Sequence, residues 1–455
     1  MAAETSARRG IPLHTKILLG LLLGAAAGVT SNILWHGSPR LEWAVTNIAQ
    51  PVGQVFLRML FMVVIPLVFS TLALGVAGLG DVRKLGRVGG KTFGIFILTT
   101  GFAATVGLIL ANVIRPGTHL DPAVREGLIA QYSSQAAQTV EAGANTGFGI
   151  NTFVQMVPRN IVASLANNEM LALIFFTIIF GVALTRLPQD KSDPVIRLLE
   201  GVAQAVIEII GFAMKLAPYG VFGLIFSVTA RFGFDVLRSL ALYVIMVLIG
   251  LSIHQFIFLP TLAKVFAGIG PIEFFRRIRF MMITAFSTSS SNATLPTTMR
   301  TAEEEFGVPR QIAGFVVPLG ATMNMNGTAL FEGLTVLFLA QVFGISLSLP
   351  LQITVIVMAI ITAVGAAGVP SGSIPLLVMV LGMVGVPGEG IALILGVDRI
   401  LDMCRTVPNV TGDLLTSVIV AKSEGYTLVP ATAPDFSSAA AQEALQHSHE
   451  TETGM

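Results

Sequence analysis

The sequence predicts an all-α polytopic membrane protein with eight spans and two re-entrant helical hairpins. Three observations carry the prediction. The chain has 455 residues, of which 53% are hydrophobic and only 12% charged, with a mean hydropathy of +0.79. Soluble domains carry about 25% charged residues. Next, the stretch from Gly333 to Gly388 holds no charge, and its middle reads Gly365-Ala-Ala-Gly-Val-Pro-Ser-Gly-Ser-Ile-Pro375. Finally, the last membrane-length segment, Ile391 to Ala421, carries Asp398, Asp402, Arg405, Asn409 and Asp413. Successive helical residues turn by roughly 100°, so this spacing confines all five to an arc of about 80°. A charge near the bilayer centre costs on the order of 3 kcal/mol. That stripe must therefore face protein, water or a solute.

The spans follow in order. Apolar runs occupy Ile17–Trp35, Met59–Gly80, Thr92–Ile114, Met170–Thr185, Val202–Ala230 (with Lys215 inside it), Leu240–Ala263 and Gln311–Phe331. Each approaches the roughly 20 residues that cross a bilayer at about 1.5 Å per residue. No small-residue cleavage site follows the first run, which predicts that it stays as a span. Dense glycine and proline break a helix, and broken backbone at membrane depth is tolerated only where protein or a cavity shields it. The second hairpin is therefore placed with its tip at Gly365–Ser373. Upstream, Phe286-Ser-Thr-Ser-Ser-Ser-Asn-Ala-Thr-Leu-Pro296 lies between short pieces at Phe274–Ala285 and Thr297–Glu305, which predicts the first hairpin. Each hairpin pairs with a neighbouring helix, Leu240–Ala263 or Gln311–Phe331. Two such units read as inverted repeats, the usual pointer to a transport site.

Positive charges set orientation. Arg8, Arg9 and Lys16 precede the first span, Arg83, Lys84 and Arg87 follow the second, and Arg276, Arg277 and Arg279 enter the first hairpin. The positive-inside rule places these groups and both termini in the cytoplasm, with Arg115–Gly149 outside. The tail from Lys422 to Met455 is rich in Ala, Ser, Thr and Glu and reads as disordered. A net charge of +1 argues against a nucleic-acid partner, and Cys404 as the only cysteine excludes an intramolecular disulfide. Six scattered histidines show no ligand spacing.

Three further polar clusters interrupt apolar segments. Asn324-Met-Asn-Gly-Thr328 weakens its helix and exposes carbonyls suited to a small hard cation. Thr99 and Thr100 offer hydroxyls for an ion or for bonds back to their own helix. Ser289, Ser290 and Ser291 occupy a hairpin tip, where free N–H groups and helix ends suit a carboxylate.

Together these segments resemble the dicarboxylate/amino acid:cation symporter family, the glutamate and aspartate transporters. The resemblance rests on Ser289–Pro296, Pro318–Leu330, Gly365–Pro370 and Asp398–Asp413, and extends from about residue 12 to 422. It implies a homotrimer in the cell inner membrane and an elevator mechanism. It also implies uptake of L-aspartate or L-glutamate driven by a cation, with Na⁺ favoured and H⁺ the alternative, and no organic cofactor. Asp402 would hold the substrate ammonium group. Arg405 would hold the side-chain carboxylate through its planar fork. Thr328, Val369, Thr406 and Asn409 would complete the pocket, with Ser290 and Ser291 receiving the α-carboxylate. One cation site would use the backbone of Gly320 and Asn409 with the Asp413 carboxylate, a second would use backbone carbonyls near Thr322 and the second hairpin, and a third would draw on Thr99, Thr100, Asn324 and Asn326. The implied organisation is a tail at 1–11, scaffold helices at 12–80, a mobile helix at 81–116, a loop and two scaffold helices at 117–232, a mobile unit at 233–421, and a tail at 422–455.

The chain departs from the family at informative places. Asn326 stands where the third sodium site has an aspartate, and Phe96 where it has a tyrosine. The family's supporting arginine is replaced by Ser289 or Met403, and Arg399, one turn from Met403, is the expected substitute. Pro408 should kink its helix beside Asn409. Asp398 reads either as a partner for Arg399 or another helix, or as a ligand. A C4-dicarboxylate substrate is disfavoured by Asp402, which would face a second anion without an ammonium between them. A channel is disfavoured by gate-like hairpins. An intramembrane enzyme is disfavoured because His254 has no nucleophile partner in sequence.

Overall fold

The computed structural model describes residues 13–428 except 36, 85, 121–125, 127–156, 168 and 367. The expected tail at 1–11, most of the polar stretch at 115–149 and the tail beyond 428 lie outside these residues. Among the described residues every regular element is helical. Elements α1 to α4 are Leu13–Trp35, Pro39–Ala44, Gln50–Phe61 and Val64–Lys84. Next come α5 (Arg87–Ile114), α6 (Ile161–Ala166), α7 (Met170–Leu184), α8 (Gln189–Phe232), α9 (Asp235–Ile253) and α10 (Leu259–Leu262). The first hairpin is α11 (Pro271–Thr288) and α12 (Ser291–Phe306). After it run α13 (Arg310–Met323) and α14 (Asn326–Val342), then the second hairpin, α15 (Leu349–Gly365) and α16 (Ile374–Met383), and α17 (Leu395–Ser423).

Among the described residues six helical stretches are long and apolar enough to cross a membrane, and three shorter apolar helices join them. The last helix, α17, is not among the six because of its charged stripe.

Two spans begin earlier than hydropathy indicates. The second apolar stretch runs from Pro39 to Gly78 rather than from Met59. Glu42, Asn47, Gln50, Pro51 and Arg58 dilute its pattern, and a π turn at Val45–Ala49 leads into Pro51, which lies in the first turn of α3 where a missing N–H costs little. Helix α8 has 44 residues, roughly 66 Å at 1.5 Å per residue. That is about twice the hydrocarbon core, so its polar start, which includes Asp190, Lys191 and Asp193, extends beyond the apolar part. The Ser-rich break is narrower than expected: only Ser289 and Ser290 are non-helical, and Pro296 sits inside α12.

Small residues set the packing of the first helices. Gly20, Gly24 and Gly28 recur every fourth residue on α1 and face α8. A Cβ at Gly20 would lie 2.3 Å from the Pro218 carbonyl oxygen, and one at Gly24 would lie 2.8 Å from that of Phe222. Close backbone approach of this kind drives helix association where lipid replaces water. Helix α3 packs on α8, and α4 on α7. Helix α14 is the hub: every residue but Gln341 is buried, and α5, α15 and α17 surround it.

The two hairpins differ in their surroundings. The first packs on α13 and α17 around Phe274, Ile278, Met281, Phe306, Val316 and Leu414. The second packs on α3, α4 and α7, and it shares the larger core with α1, α8 and α14. Their tips meet: the Ser290 hydroxyl donates to the Gly368 carbonyl at 2.6 Å, and the Asn292 N–H donates to the same oxygen at 3.1 Å.

Candidate functional site

Helix α17 forms one wall of the site. It runs through Pro408 to Ser423 as a continuous helix, with Asp398, Asp402, Arg405, Asn409 and Asp413 all buried. The expected kink at Pro408 does not interrupt it. Arg405 is 1% exposed and is held between two carboxylates. Its Nη1 donates to Asp398 Oδ1 at 2.9 Å and its Nε to Asp402 Oδ1 at 3.0 Å. Nη2 lies 2.9 Å from the same Asp402 oxygen but makes no aligned hydrogen bond, so one arm of the fork has no aligned acceptor. The guanidinium stacks over the Phe331 ring at 4.3 Å from its centroid, a cation–π contact that favours the desolvated charge. Arg399 reaches Asp402 Oδ2 at 3.4 Å. Two guanidinium groups thus balance two carboxylates inside the protein.

The tip of the second hairpin closes on the same carboxylates. Ser371 donates its backbone N–H to Asp402 Oδ2 at 2.9 Å and its hydroxyl to Asp398 Oδ2 at 3.2 Å. It does so at φ +58°, a left-handed conformation unusual for a residue with a Cβ. Between the tips and α17 lies a small cavity of about 20 Å³, lined by Ser289, Ser291, Thr328, Val369, Asp402, Thr406 and Asn409 among others. That is room for about one water molecule.

Below the cavity an oxygen-rich cluster joins α5, α13, α14 and α17. The chain breaks at Asn324 and Met325, with φ −123° and −103° at the two residues. Asn324 Nδ2 donates to Asp413 Oδ1 at 2.8 Å, and the Thr99 hydroxyl lies 3.4 Å from Asn324 Oδ1. Thr100 donates to Asn326 Oδ1 at 3.0 Å, leaving Asn326 Nδ2 buried without a partner. Asn409 Oδ1 accepts the Gly327 N–H at 2.7 Å, and its amide nitrogen lies 3.4 Å from the Thr328 hydroxyl. At Gly320 a Cβ would stand 2.4 Å from Asp413 Oδ1, so only glycine lets that carboxylate approach. The donors are carboxylate, amide and hydroxyl oxygens, the set a hard cation takes.

Most residues singled out in sequence therefore converge. Asp402, Thr406, Asn409, Thr328, Ser291 and Val369 line the cavity and Arg405 pairs with Asp402 beside it, while Gly320, Asn324, Asn326, Asp413, Thr99 and Thr100 share the cluster beneath. Ser290 is engaged otherwise: its hydroxyl bridges to Gly368 and caps α12 by accepting from Ala293 N–H at 3.1 Å. The Thr322 side chain is exposed and donates back to the Leu319 carbonyl, while the backbone beside it faces the second tip, where a Cβ at Gly368 would stand 2.8 Å from the Ala321 carbonyl oxygen. Asp398 does not pair with Arg399; it pairs with Arg405, two helical turns along its own helix.

Ser289, expected at the first tip, lies there at φ +52° with a buried hydroxyl that has no partner. Three contributors were missed. Ser371 and Ser373 lie at the second tip, where Ser373 also buries a hydroxyl without a partner. Glu332 is the third. It is fully buried, accepts from the Thr362 hydroxyl at 2.7 Å through Oε2, and has no partner at Oε1. A glutamate between Phe331 and Gly333 in an apolar helix was itself the signal, since a buried charge in a span marks function by default.

Comparison with known proteins agrees with this arrangement. Residues 13–423 match the model of the sodium:dicarboxylate symporter family. The chain is 40% identical to a proton/sodium-glutamate symport protein of Bacillus subtilis over 91% of this chain and 93% of the relative. It is 38% identical to a proton/glutamate-aspartate symporter of Escherichia coli over 90% and 93%. It is also 34% identical to a C4-dicarboxylate transport protein of Bacillus subtilis over 90% and 94%. Stripe, hairpins and interrupted helix together with these matches place the chain in the sodium:dicarboxylate symporter family, as a membrane transporter and not an enzyme.

Proposed function

We propose that this protein takes up L-glutamate or L-aspartate by symport with a cation. The observation that carries the reading is the pairing of Asp402 with Arg405 beneath the two hairpin tips. An acidic amino acid has one ammonium group and two carboxylates. Asp402 supplies a counter-charge for the ammonium. The unaligned Nη2 of Arg405 faces the side-chain carboxylate, and Ser289, Ser291 and the N-terminus of α12 receive the α-carboxylate. Because the site charges already balance, bound glutamate adds one net negative charge to a buried site. A co-transported cation offsets it. Arg399, through its contact with Asp402, supports the site from behind.

Na⁺ is the favoured ion, held by Asp413, the Asn324 and Asn409 amides and the backbone at Gly320. Thr99, Thr100 and Asn326 form a weaker second set, since no carboxylate stands among them. One observation favours a proton instead. Glu332 lies in the helix that carries Phe331, has no ion-pair partner among the described residues and leaves Oε1 without a hydrogen bond. A carboxyl in that setting is well placed to carry a proton with the solute. Relatives named for both ions agree with keeping the two readings side by side.

We infer an elevator movement in a homotrimer of eight-span subunits in the cell inner membrane, with both termini cytoplasmic. Helices α1 to α4, α7 and α8 would form the scaffold. Helices α5, α9 and α13 to α17 with the first hairpin would form the moving unit. The second hairpin would close only over a loaded site, which couples ion to solute. The test is uptake of labelled glutamate and aspartate into proteoliposomes under separately imposed Na⁺ and H⁺ gradients. Accumulation under either gradient supports symport and identifies the ion; equilibration without accumulation under both would overturn it.

A further inference from the structure

Helix α11 turns one face away from the bundle. Ile272, Arg276, Arg279, Phe280 and Ile283 lie on it, within an arc of about 100° on a helical wheel. Ile272 is 89% exposed, Phe280 68% and Ile283 63%. The opposite face, with Phe274, Ile278, Met281 and Ala285, is buried. Val265 and Phe266, on the turn just before α11, are also exposed, and Phe256 contacts Phe275 at 5.3 Å between ring centroids. The segment before α11 thus packs against it and adds exposed apolar side chains of its own.

Its cations are unlike their neighbour Arg277. Arg277 pairs with Glu273, donates to the Glu305 carbonyl at 2.8 Å and lies over the Phe306 ring. Arg276, Arg279 and Lys264 are exposed and have no hydrogen-bond or ion-pair partner among the described residues. Unpaired cations beside exposed apolar side chains, on the cytoplasmic side of a membrane protein, suit an anion that is itself amphipathic. A soluble acidic partner would satisfy the guanidinium groups but leave Phe280 and Ile283 bare.

We propose that this face binds an anionic phospholipid. Arg276, Arg279 and Lys264 hold its phosphodiester, and its acyl chains lie along Phe280, Ile283, Val265 and Phe266. The binding rests only on the chain being a membrane protein. Its consequence rests on the proposed transport cycle: α11 belongs to the moving unit, so a lipid seated there sets the transport rate.

Two readouts keep binding and consequence apart. Native mass spectrometry of detergent-solubilised protein, offered phosphatidylglycerol and phosphatidylcholine together, should show preferential retention of phosphatidylglycerol. R276Q/R279Q should lose that preference, and glycerol phosphate should not displace the lipid. Uptake in phosphatidylcholine vesicles should rise several-fold when phosphatidylglycerol is included, and R276Q/R279Q should keep the phosphatidylcholine rate without the rise. Equal lipid retention by wild type and variant would overturn the proposal, as would displacement by glycerol phosphate. Collapse of the variant's rate in phosphatidylcholine alone would also overturn it, by showing that the face docks on the protein itself. Lost retention with an unchanged lipid response would overturn the rate consequence and leave binding supported.

Discussion

Replacing Arg405 with glutamine probes both the stability and the specificity of the site. In the structure Arg405 binds Asp398 at 2.9 Å and Asp402 at 2.9 Å, with all three side chains buried. Removing one partner of a buried ion pair costs roughly 3–5 kcal/mol, because the remaining charge has no compensation. Arg405→Gln leaves Asp398 and Asp402 facing only Arg399, so the cluster moves from neutral to one net negative charge. The single variant should therefore unfold at markedly lower temperature in detergent. Adding Asp398→Asn restores neutrality, and the new amide retains a partner for the Ser371 hydroxyl. R405Q/D398N should recover most of the lost stability. It should not recover acidic substrate, because a charge-assisted bond to the substrate carboxylate, about 1.5–3 kcal/mol, is gone. That corresponds to about a 10- to 150-fold loss in affinity. Glutamine, which lacks the side-chain charge, should lose far less. Fluorescence-detected thermal unfolding and binding of labelled glutamate and glutamine read the two effects separately. Wild-type glutamate affinity in the double variant, or wild-type stability in the single one, would refute the reasoning.

Other predictions follow from single contacts. Gly320→Ala places a Cβ 2.4 Å from Asp413 Oδ1; it should raise the cation concentration for half-maximal uptake at least tenfold while the protein still purifies as a folded species. Glu332→Gln should flatten the pH dependence of uptake if the proton is the driving ion and leave Na⁺-driven uptake nearly unchanged otherwise, as read in proteoliposomes at several pH values. On the surface, hydrogen bonds from Arg87 and Lys91 hold the Glu424 carboxyl below its ordinary 4.5. A depressed folded pKa gives stability that is present above the unfolded pKa and disappears as pH falls through the folded one. Wild type should accordingly lose a component of thermal stability below the usual carboxylate range, and Glu424→Gln should lack that component.

Much of the site was legible because burying polar groups at membrane depth is costly enough to leave few readings. Asp402, Arg405, Asn409 and Asp413 follow from one spacing argument and sit on one wall in the structure. The break at Asn324–Met325 follows from helix-weakening residues in an apolar run. Partnership was less legible than position. Whether Asp398 turns to Arg399 or Arg405 depends on which side chain the α17 wall points inward. The Arg405 side is fixed by Phe331 on α14, a residue 74 positions earlier in the chain. Ser371 was invisible for the same reason, since its role comes from a tip conformation that sequence spacing does not encode. Glu332 was poorly legible because it borders the long uncharged stretch that begins at Gly333, where a lone carboxylate reads as the edge of an apolar segment.

The central claim is that Asp402 and Arg405 recognise an ammonium and a carboxylate on the same solute. Displacement of labelled glutamate from the purified protein by aspartate, succinate and glutamine measures it directly. The account predicts displacement by aspartate at concentrations similar to glutamate itself, with succinate and glutamine each at least tenfold weaker. Succinate competing as well as aspartate would contradict it, because the ammonium site at Asp402 would then contribute nothing.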